Sequence, residues 1–590
     1  MAEGRKRSTL AVLRRVGGYI SEDRRLAYAS VIALVAGSFA LAIAPSMAGD
    51  AIDMLSEYVA SGYTGLDVSA FVGLLLVIAA LYVFGNGATM FSNRNMVVVS
   101  RNAAKKMRRN LHNKLNRVPI SFLDSHSSGD ISSRLTNDLT TAETLLETDL
   151  LTLVVQVLLI VLILIMMLVV NPVLALVYVV LMPVSFVTIR FITGRTKRGF
   201  RLQQSTVGEL NGYMGDVIGN HLLVKSYNME SASEERFDEI NKRFHKAYVK
   251  SKFASGFILP VTLMINNIGY ICVSIFGAYM ILQGDLTLGG FTAFLLYGQM
   301  LSSPLQSASS SMNQVQSGLA AAERLFDILD AEEEPDESGL RGLDVSKVRG
   351  RVAFDDVTFG YTPDRTLFEH VSFEVEPGTV TAIVGPSGAG KTTIINLLMR
   401  FYEVNGGRIL LDGEDTREIN RDELRKAFGM VLQDSWVFDG TVAENISYGK
   451  EGATREDVVK AAETVGCDTF IHVMPDGYDT YISEENSQLS VGEKQLLVLA
   501  RAVLADPKIL ILDEATSNMD TRTEAMVTHA MESMMEGRTT FVIAHRLFTI
   551  RNADKIIFMK DGDIKEVGSH EELMDLDGLY AEMYRSLSSV

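Results

Sequence analysis

Six apolar stretches, at roughly residues 26–49, 68–92, 146–170, 172–193, 254–282 and 288–312, fall within the first 325 residues. Each is near the ~20 residues a helix needs to cross a bilayer. The first is too long for the apolar part of a secretory signal and shows no convincing cleavage site, so it reads as a retained helix. A chain of 590 residues that is 47% hydrophobic is too long for one core. It divides into a membrane part and a second part.

Basic residues set the orientation. Arg94, Arg101, Lys105, Lys106, Arg108, Arg109, Lys114 and Arg117 follow the second stretch, and Arg190, Arg195, Lys197, Arg198 and Arg201 end or follow the fourth. The connections after the first, third and fifth stretches carry no Lys or Arg. The positive-inside rule places both termini and everything after the sixth stretch in the cytoplasm, in a multi-pass cell membrane protein. A net charge of −17 speaks against nucleic acid as a partner. The two cysteines, Cys272 and Cys467, suggest neither a disulfide framework nor a thiolate metal site.

The two cytoplasmic connections alternate charged and apolar residues at helical spacing, which predicts helices that continue past the membrane surface. A break with a short crosswise helix is expected near 119–138 and near 208–220. The acidic run EEEPDESG (332–339) reads as a linker. The expected organisation is a transmembrane domain over 1–325, a linker over 326–350 and a second domain over 351–590. That last part alternates short β-branched strands with helices, as expected of an α/β domain with a largely parallel sheet.

The α/β part carries the chemistry. In TVTAIVGPSGAGKTTIINLLMRF a strand, a glycine-rich turn and a helix succeed one another, with Gly385, Pro386, Ser387, Gly388, Ala389, Gly390, Lys391, Thr392 and Thr393 forming a phosphate loop. Its backbone N–H groups can surround the phosphates of ATP while Lys391 reaches the β/γ oxygens and the Thr392 hydroxyl holds Mg²⁺. The strand KILILDE ends in Asp513, placed to face the metal, and Glu514, placed to polarise the attacking water. Alone, such a pair would be a solvated turn or a helix cap. Downstream of a phosphate loop, and ahead of a strand ending in His545, it reads as the other half of the site.

Phosphate loop, Gln433, the turn LSVGEKQ, LILDE, SNMD and His545 occur in the order and spacing of an ATP-binding cassette (ABC) domain. With six helices ahead of it, the whole chain resembles an exporter-type half-transporter, in particular the subunit with an intact Walker B motif in bacterial heterodimeric multidrug-type exporters. The resemblance implies that Tyr361 stacks on adenine, that Gln433 senses Mg²⁺ and that His545 contacts the γ-phosphate. It further implies that Asp520 reaches across a cassette dimer and that the two helix tips dock on nucleotide-binding domains. The bland readings are a core or surface aromatic for Tyr361, a loop amide for Gln433, a core imidazole for His545 and a helix cap for Asp520.

In this family the signature turn serves the nucleotide of the partner cassette. Here Leu489, Ser490 and Gly492 match the LSGGQ pattern, but Val491 replaces a glycine and Glu493 a glutamine, and the preceding ISEENSQ lacks the usual GERG-like sequence. Valine resists positive φ, and a carboxylate at Glu493 adds charge near polyphosphate unless it points away. Two readings stand: a heterodimer in which this chain supplies the hydrolytic set, and a homodimer with a tolerated change. The spans hold almost no ionisable group at mid-membrane depth, which favours an apolar or amphipathic cargo. Asn86, Asn266, Asn267, Gln299 and Gln306 are weak candidates for touching it, since intramembrane amides more often join helices. An exporter-shaped importer and a nucleotide-gated channel or receptor share these features. A soluble cassette protein lacks the apolar stretches.

Overall fold

The computed structural model describes residues 8–63, 65–362, 364–432, 435–484, 489–513, 521–544 and 547–588. The chain forms two compact units, one of residues 1–116 with 127–331 and one of residues 117–126 with 332–590.

The first unit is helical. Five helices among the described residues are long and apolar enough to span a bilayer: Arg24–Ala60, Val68–Leu115, Ser128–Val170, Pro172–Ile192 and Pro260–Gln283. The sixth expected stretch, 288–312, lies inside the 42-residue helix Leu288–Leu329. Its glycines, serines and glutamines dilute its hydropathy, so it falls outside that set. They also let neighbours approach closely. A Cβ on Gly298 would lie 2.0 Å from the Tyr178 hydroxyl, and one on Gly289 would lie 1.9 Å from the Gly49 carbonyl. Phe294 and Tyr297 are fully buried beside Ile163, Met167 and Tyr178, and the Tyr297 hydroxyl donates to the Ala42 carbonyl at 2.8 Å.

Val68–Leu115 and Pro172–Gly219 each run for 48 residues. At ~1.5 Å per residue each is about 72 Å long, far more than a bilayer needs. The first connection breaks within 119–138. Pro119, in extended backbone, caps the short helix Ile120–Asp124, and Ser127 caps Ser128–Ser133. The second differs from expectation, because the helix continues through 208–219 and turns only at Asn220, so the short helix is His221–Ser226. Glycine weakens a helix without removing a donor. Here packing compensates: the Tyr213 hydroxyl bonds Ser233 at 2.9 Å and Arg243 pairs with Glu209 at 2.5 Å, both on the following helix Glu230–Gly256.

The second unit has a six-stranded sheet in the order 563–568, 555–560, 380–384, 539–543, 509–513, 428–431, parallel except for the first strand. Thr539–Ile543 is buried at every position, as expected of a parallel strand covered on both faces. A smaller antiparallel sheet runs 368–375, 352–359, 406–411, 414–415. The acidic stretch expected to be a linker is docked onto this unit. Glu337 pairs with Arg400 at 2.7 Å and with Arg421 at 3.3 Å, and Glu334 pairs with Arg421 at 3.3 Å.

Candidate nucleotide site

Four neighbouring parallel strands deliver the site. Ile383 lies beside Ile543, and Ile543 beside Asp513, so the strands holding the phosphate loop and Asp513 end at one level. In open α/β sheets ligands bind at this carboxyl edge. The strand Phe428–Val431 ends on the same side, two residues before Gln433. Gln433, Glu514, Asp520 and His545 lie outside the described residues.

The loop is shaped by its glycines. Gly385, Gly388 and Gly390 have φ of 149°, 81° and 102°, and a Cβ on Gly385 would meet the Met559 carbonyl at 2.1 Å. Gly390 opens the helix Lys391–Leu398. The Lys391 ammonium donates to the carbonyls of Gly385 at 2.7 Å and Pro386 at 3.0 Å, which holds it inside the loop. Burial lowers its pKa from the ordinary lysine value, and the charge of Asp513 opposes that shift. Thr392 is exposed at the start of the helix, whereas Thr393 is buried and its hydroxyl bonds the Tyr361 phenol at 2.9 Å. The Tyr361 ring is half exposed and meets Tyr402 edge-on at 4.9 Å between centroids.

The structure changes the reading of the signature turn. Val491 begins the helix Val491–Ala505 with Ser490 as its cap, and it is not among the residues with positive φ. Valine therefore meets no backbone strain there. Glu493 closes a capping box: its carboxylate accepts from the Ser490 backbone N–H and from the Ser490 hydroxyl, each at 2.8 Å, while its own N–H donates to Ser490 Oγ at 3.3 Å. The carboxylate is turned to its own helix and engages the Ser490 hydroxyl of the same turn. Leu489 packs partly buried against the core. Residues 485–488 of the altered ISEENSQ lie outside the described residues.

Sequence reasoning missed several supporting residues. Arg501 on the signature helix donates to Asn445 and to the Trp436 carbonyl, tying that helix to the segment after Gln433. Tyr402 was unremarkable in sequence; its phenol donates to the Asp124 carboxylate. Of the membrane amides, Asn86 bonds back to the Tyr82 carbonyl at 2.8 Å, and Asn266, Asn267, Gln299 and Gln306 are half-buried or exposed. Cys467 is buried and its thiol is pushed up to about 12, while Cys272 is free and half-buried.

The profile described as the ABC transporter transmembrane region matches residues 28–305, and that described as ABC transporter matches residues 368–517. A Mycobacterium bovis protein named fatty acid ABC transporter ATP-binding/permease protein is 38% identical over 90% of this chain and 84% of its own length. This chain belongs to the ABC transporters. The transporter is also 34% identical, over 98% of its length and 97% of the relative's, to the ATP-dependent lipid A-core flippase of Chromobacterium violaceum. A solved bacterial Atm1-family ABC exporter with ATP bound superposes with a TM-score of 0.75 at 30% identity, covering 95% of this chain and 98% of that one. The transporter is thus an exporter-type ATPase and permease in one chain, membrane-spanning, with a cytoplasmic ATP-binding domain that couples hydrolysis to transport.

Proposed function

We propose that this transporter exports a lipid-like or otherwise amphipathic molecule as half of a heterodimer, hydrolysing ATP at the site built on its own Lys391, Asp513 and Glu514. The names of its relatives, a fatty acid transporter and a lipid A-core flippase, support the cargo class. The heterodimer rests on one observation, the Ser490 hydroxyl held by Glu493 on the surface that would face a partner's nucleotide. A homodimer with two working sites is the second reading, favoured by the helical, unstrained Val491.

Lys391 and the loop N–H groups bind and orient the polyphosphate, Tyr361 positions the base, and Glu514 takes the proton of the attacking water as the γ-phosphate departs. Among the described residues no cluster of three or more His, Cys, Asp or Glu forms a ready-made metal cage. One hydroxyl and one carboxylate suit Mg²⁺, which typically leaves most of its coordination to water and phosphate. Thr392, Asp513 and Gln433 would hold it. When bound it neutralises charge on the β/γ oxygens. ATP drives transport only by binding the closed arrangement more tightly than the open one. The helical tips at Ile120–Asp124 and His221–Ser226 are the proposed coupling elements.

The test is ATP turnover and oligomeric mass of the purified chain in nanodiscs, beside Glu514→Gln. Turnover that depends on Glu514 only after addition of a partner with an intact LSGGQ turn supports the heterodimer. A homodimer with full Glu514-dependent turnover discards it.

A further inference from the structure

A polar hollow of 390 Å³ in the membrane unit is lined by Asn137, Thr141, Thr144 and Asp149 from one helical segment and by Gln314 and Ser317 from Leu288–Leu329. Its size falls within the ~300–1,000 Å³ of small-molecule sites. A backbone irregularity builds it. In a regular α-helix the residue one turn beyond Thr144 would be Thr148, but Leu145–Asp149 is a wider i→i+5 turn, and the extra residue brings Asp149 onto the face of Asn137, Thr141 and Thr144. Gly318 admits the bulge, since a Cβ there would lie 2.6 Å from Leu145 Cβ.

Asp149 is 7% exposed, and its carboxylate accepts a long hydrogen bond from Thr148 Oγ1 at 3.4 Å. The other lining side chains are neutral, and the arginines on the two lining segments pair with other acids, Arg134 with Asp130 at 2.9 Å and Arg324 with Asp138 at 2.5 Å. A carboxylate removed from water without a counter-ion is costly. It also stands immediately before the apolar run Leu150–Val170, at the cytoplasmic start of a span.

We propose that this hollow binds the ammonium headgroup of an amphipathic molecule, with the Asp149 carboxylate as counter-ion and the surrounding hydroxyl and amide oxygens as hydrogen-bond acceptors. The tail would continue into the apolar region that begins at Leu150. The assignment deepens the exporter reading by giving the cargo a positive head, and it rests on that reading only for the cargo being amphipathic.

The experiment is nucleotide-free binding of radiolabelled dodecylamine to the full chain in nanodiscs, with empty discs subtracted and dodecanoate as the anion of matched length. The expected result is saturable dodecylamine binding, weakened about 10-fold or more by Asp149→Asn and recovered by Asp149→Glu. Displacement by ethanolamine at higher concentration is expected, because it carries the head without the tail; failure of ethanolamine to compete would overturn the headgroup assignment. Equal or tighter binding of dodecanoate, undiminished binding by Asp149→Asn, or displacement by magnesium chloride in place of amines would each overturn the proposal. Should Asp149→Asn fail to fold, Ser317→Ala and the ethanolamine competition on the unaltered chain decide. Because no nucleotide is present, a chain that proves unable to hydrolyse ATP would count against the exporter reading and not against this one.

Discussion

The Tyr402 phenol donates a hydrogen bond to the carboxylate of Asp124, joining the turn after the phosphate-loop helix to the helical tip Ile120–Asp124. Tyr402 also meets Tyr361 edge-on, and Tyr361 bonds Thr393 in the phosphate loop. Burial, with the bond to Asp124, pushes the Tyr402 phenol well above the ordinary tyrosine value. A base stacked on Tyr361 would therefore bear on the residue that holds Asp124. Tyr402→Phe is expected to cost about 1 kcal/mol of stability, the worth of a partly exposed bond to a charged group. It should also lower the ratio of cargo-stimulated to unstimulated ATP turnover, read by phosphate release. An unchanged ratio would leave the contact structural.

The docking of Glu337 predicts a larger loss. Arg400 and Glu337 are both largely buried, and removing Glu337 leaves the buried Arg400 and Arg421 to share Glu403, 2.8 Å from each, and the Arg421 backbone N–H without its acceptor. Glu337→Ala should lower stability by about 2 kcal/mol, seen as a drop in denaturation midpoint. The pair Arg408–Asp355 is half exposed on both sides, and Asp355→Ala should cost less than about 1 kcal/mol.

The capping box at the signature turn separates two roles of Glu493. Glu493→Gln keeps the length and loses the charge, so the helix Val491–Ala505 should be weakened by about 0.5–1 kcal/mol. The weaker hold of a neutral amide oxygen on the Ser490 hydroxyl should raise hydrolysis at the site this turn faces, measured in assemblies whose other site is silenced. Turnover that stays flat would make Glu493 a helix cap and nothing more.

Lys391 is the charge inside the loop, and its loss should be felt in binding as well as turnover. Lys391→Ala is expected to lower turnover about 100-fold or more, with weakened ATP binding in a fluorescent-nucleotide titration.

A pH effect follows from Glu484, whose carboxylate accepts from Lys494 at 2.7 Å and is held below the ordinary glutamate value by that bond. The folded pKa lies below the unfolded value of ~4.3, so the contribution is complete above that value and disappears as pH falls through the folded pKa. Both side chains reach solvent, so less than about 1 kcal/mol is at stake. Melting curves of Glu484→Gln and the unaltered chain should differ at neutral pH and converge in acid.

How far each feature was legible depended on its range. The phosphate loop and the strand ending in Asp513 were readable because a glycine-rich turn between strand and helix is specified within about ten residues. The membrane helices were readable from apolar length. The sixth was read in the same way, although the glycines and serines of Leu288–Leu329 leave it less apolar than the other five. The second helical tip was misplaced because glycines in 208–220 suggested a break that contacts of Tyr213 and Glu209 with the next helix prevent.

By itself the sequence determined the membrane part, the cassette, and the glycine-rich turn with the strand that ends in Asp513, because each is set by local pattern: apolar length, strand and helix period, glycines where φ is positive. Tertiary structure alone decided that the acidic linker is clamped by Arg400 and Arg421, that Tyr402 reaches Asp124, and that one extra residue in a helical turn brings Asp149 into a polar hollow. The first two are pairings between residues tens to hundreds of positions apart, and the third turns on one extra residue in a helical turn. Such details are selected by the packing of the whole fold, which no local pattern records.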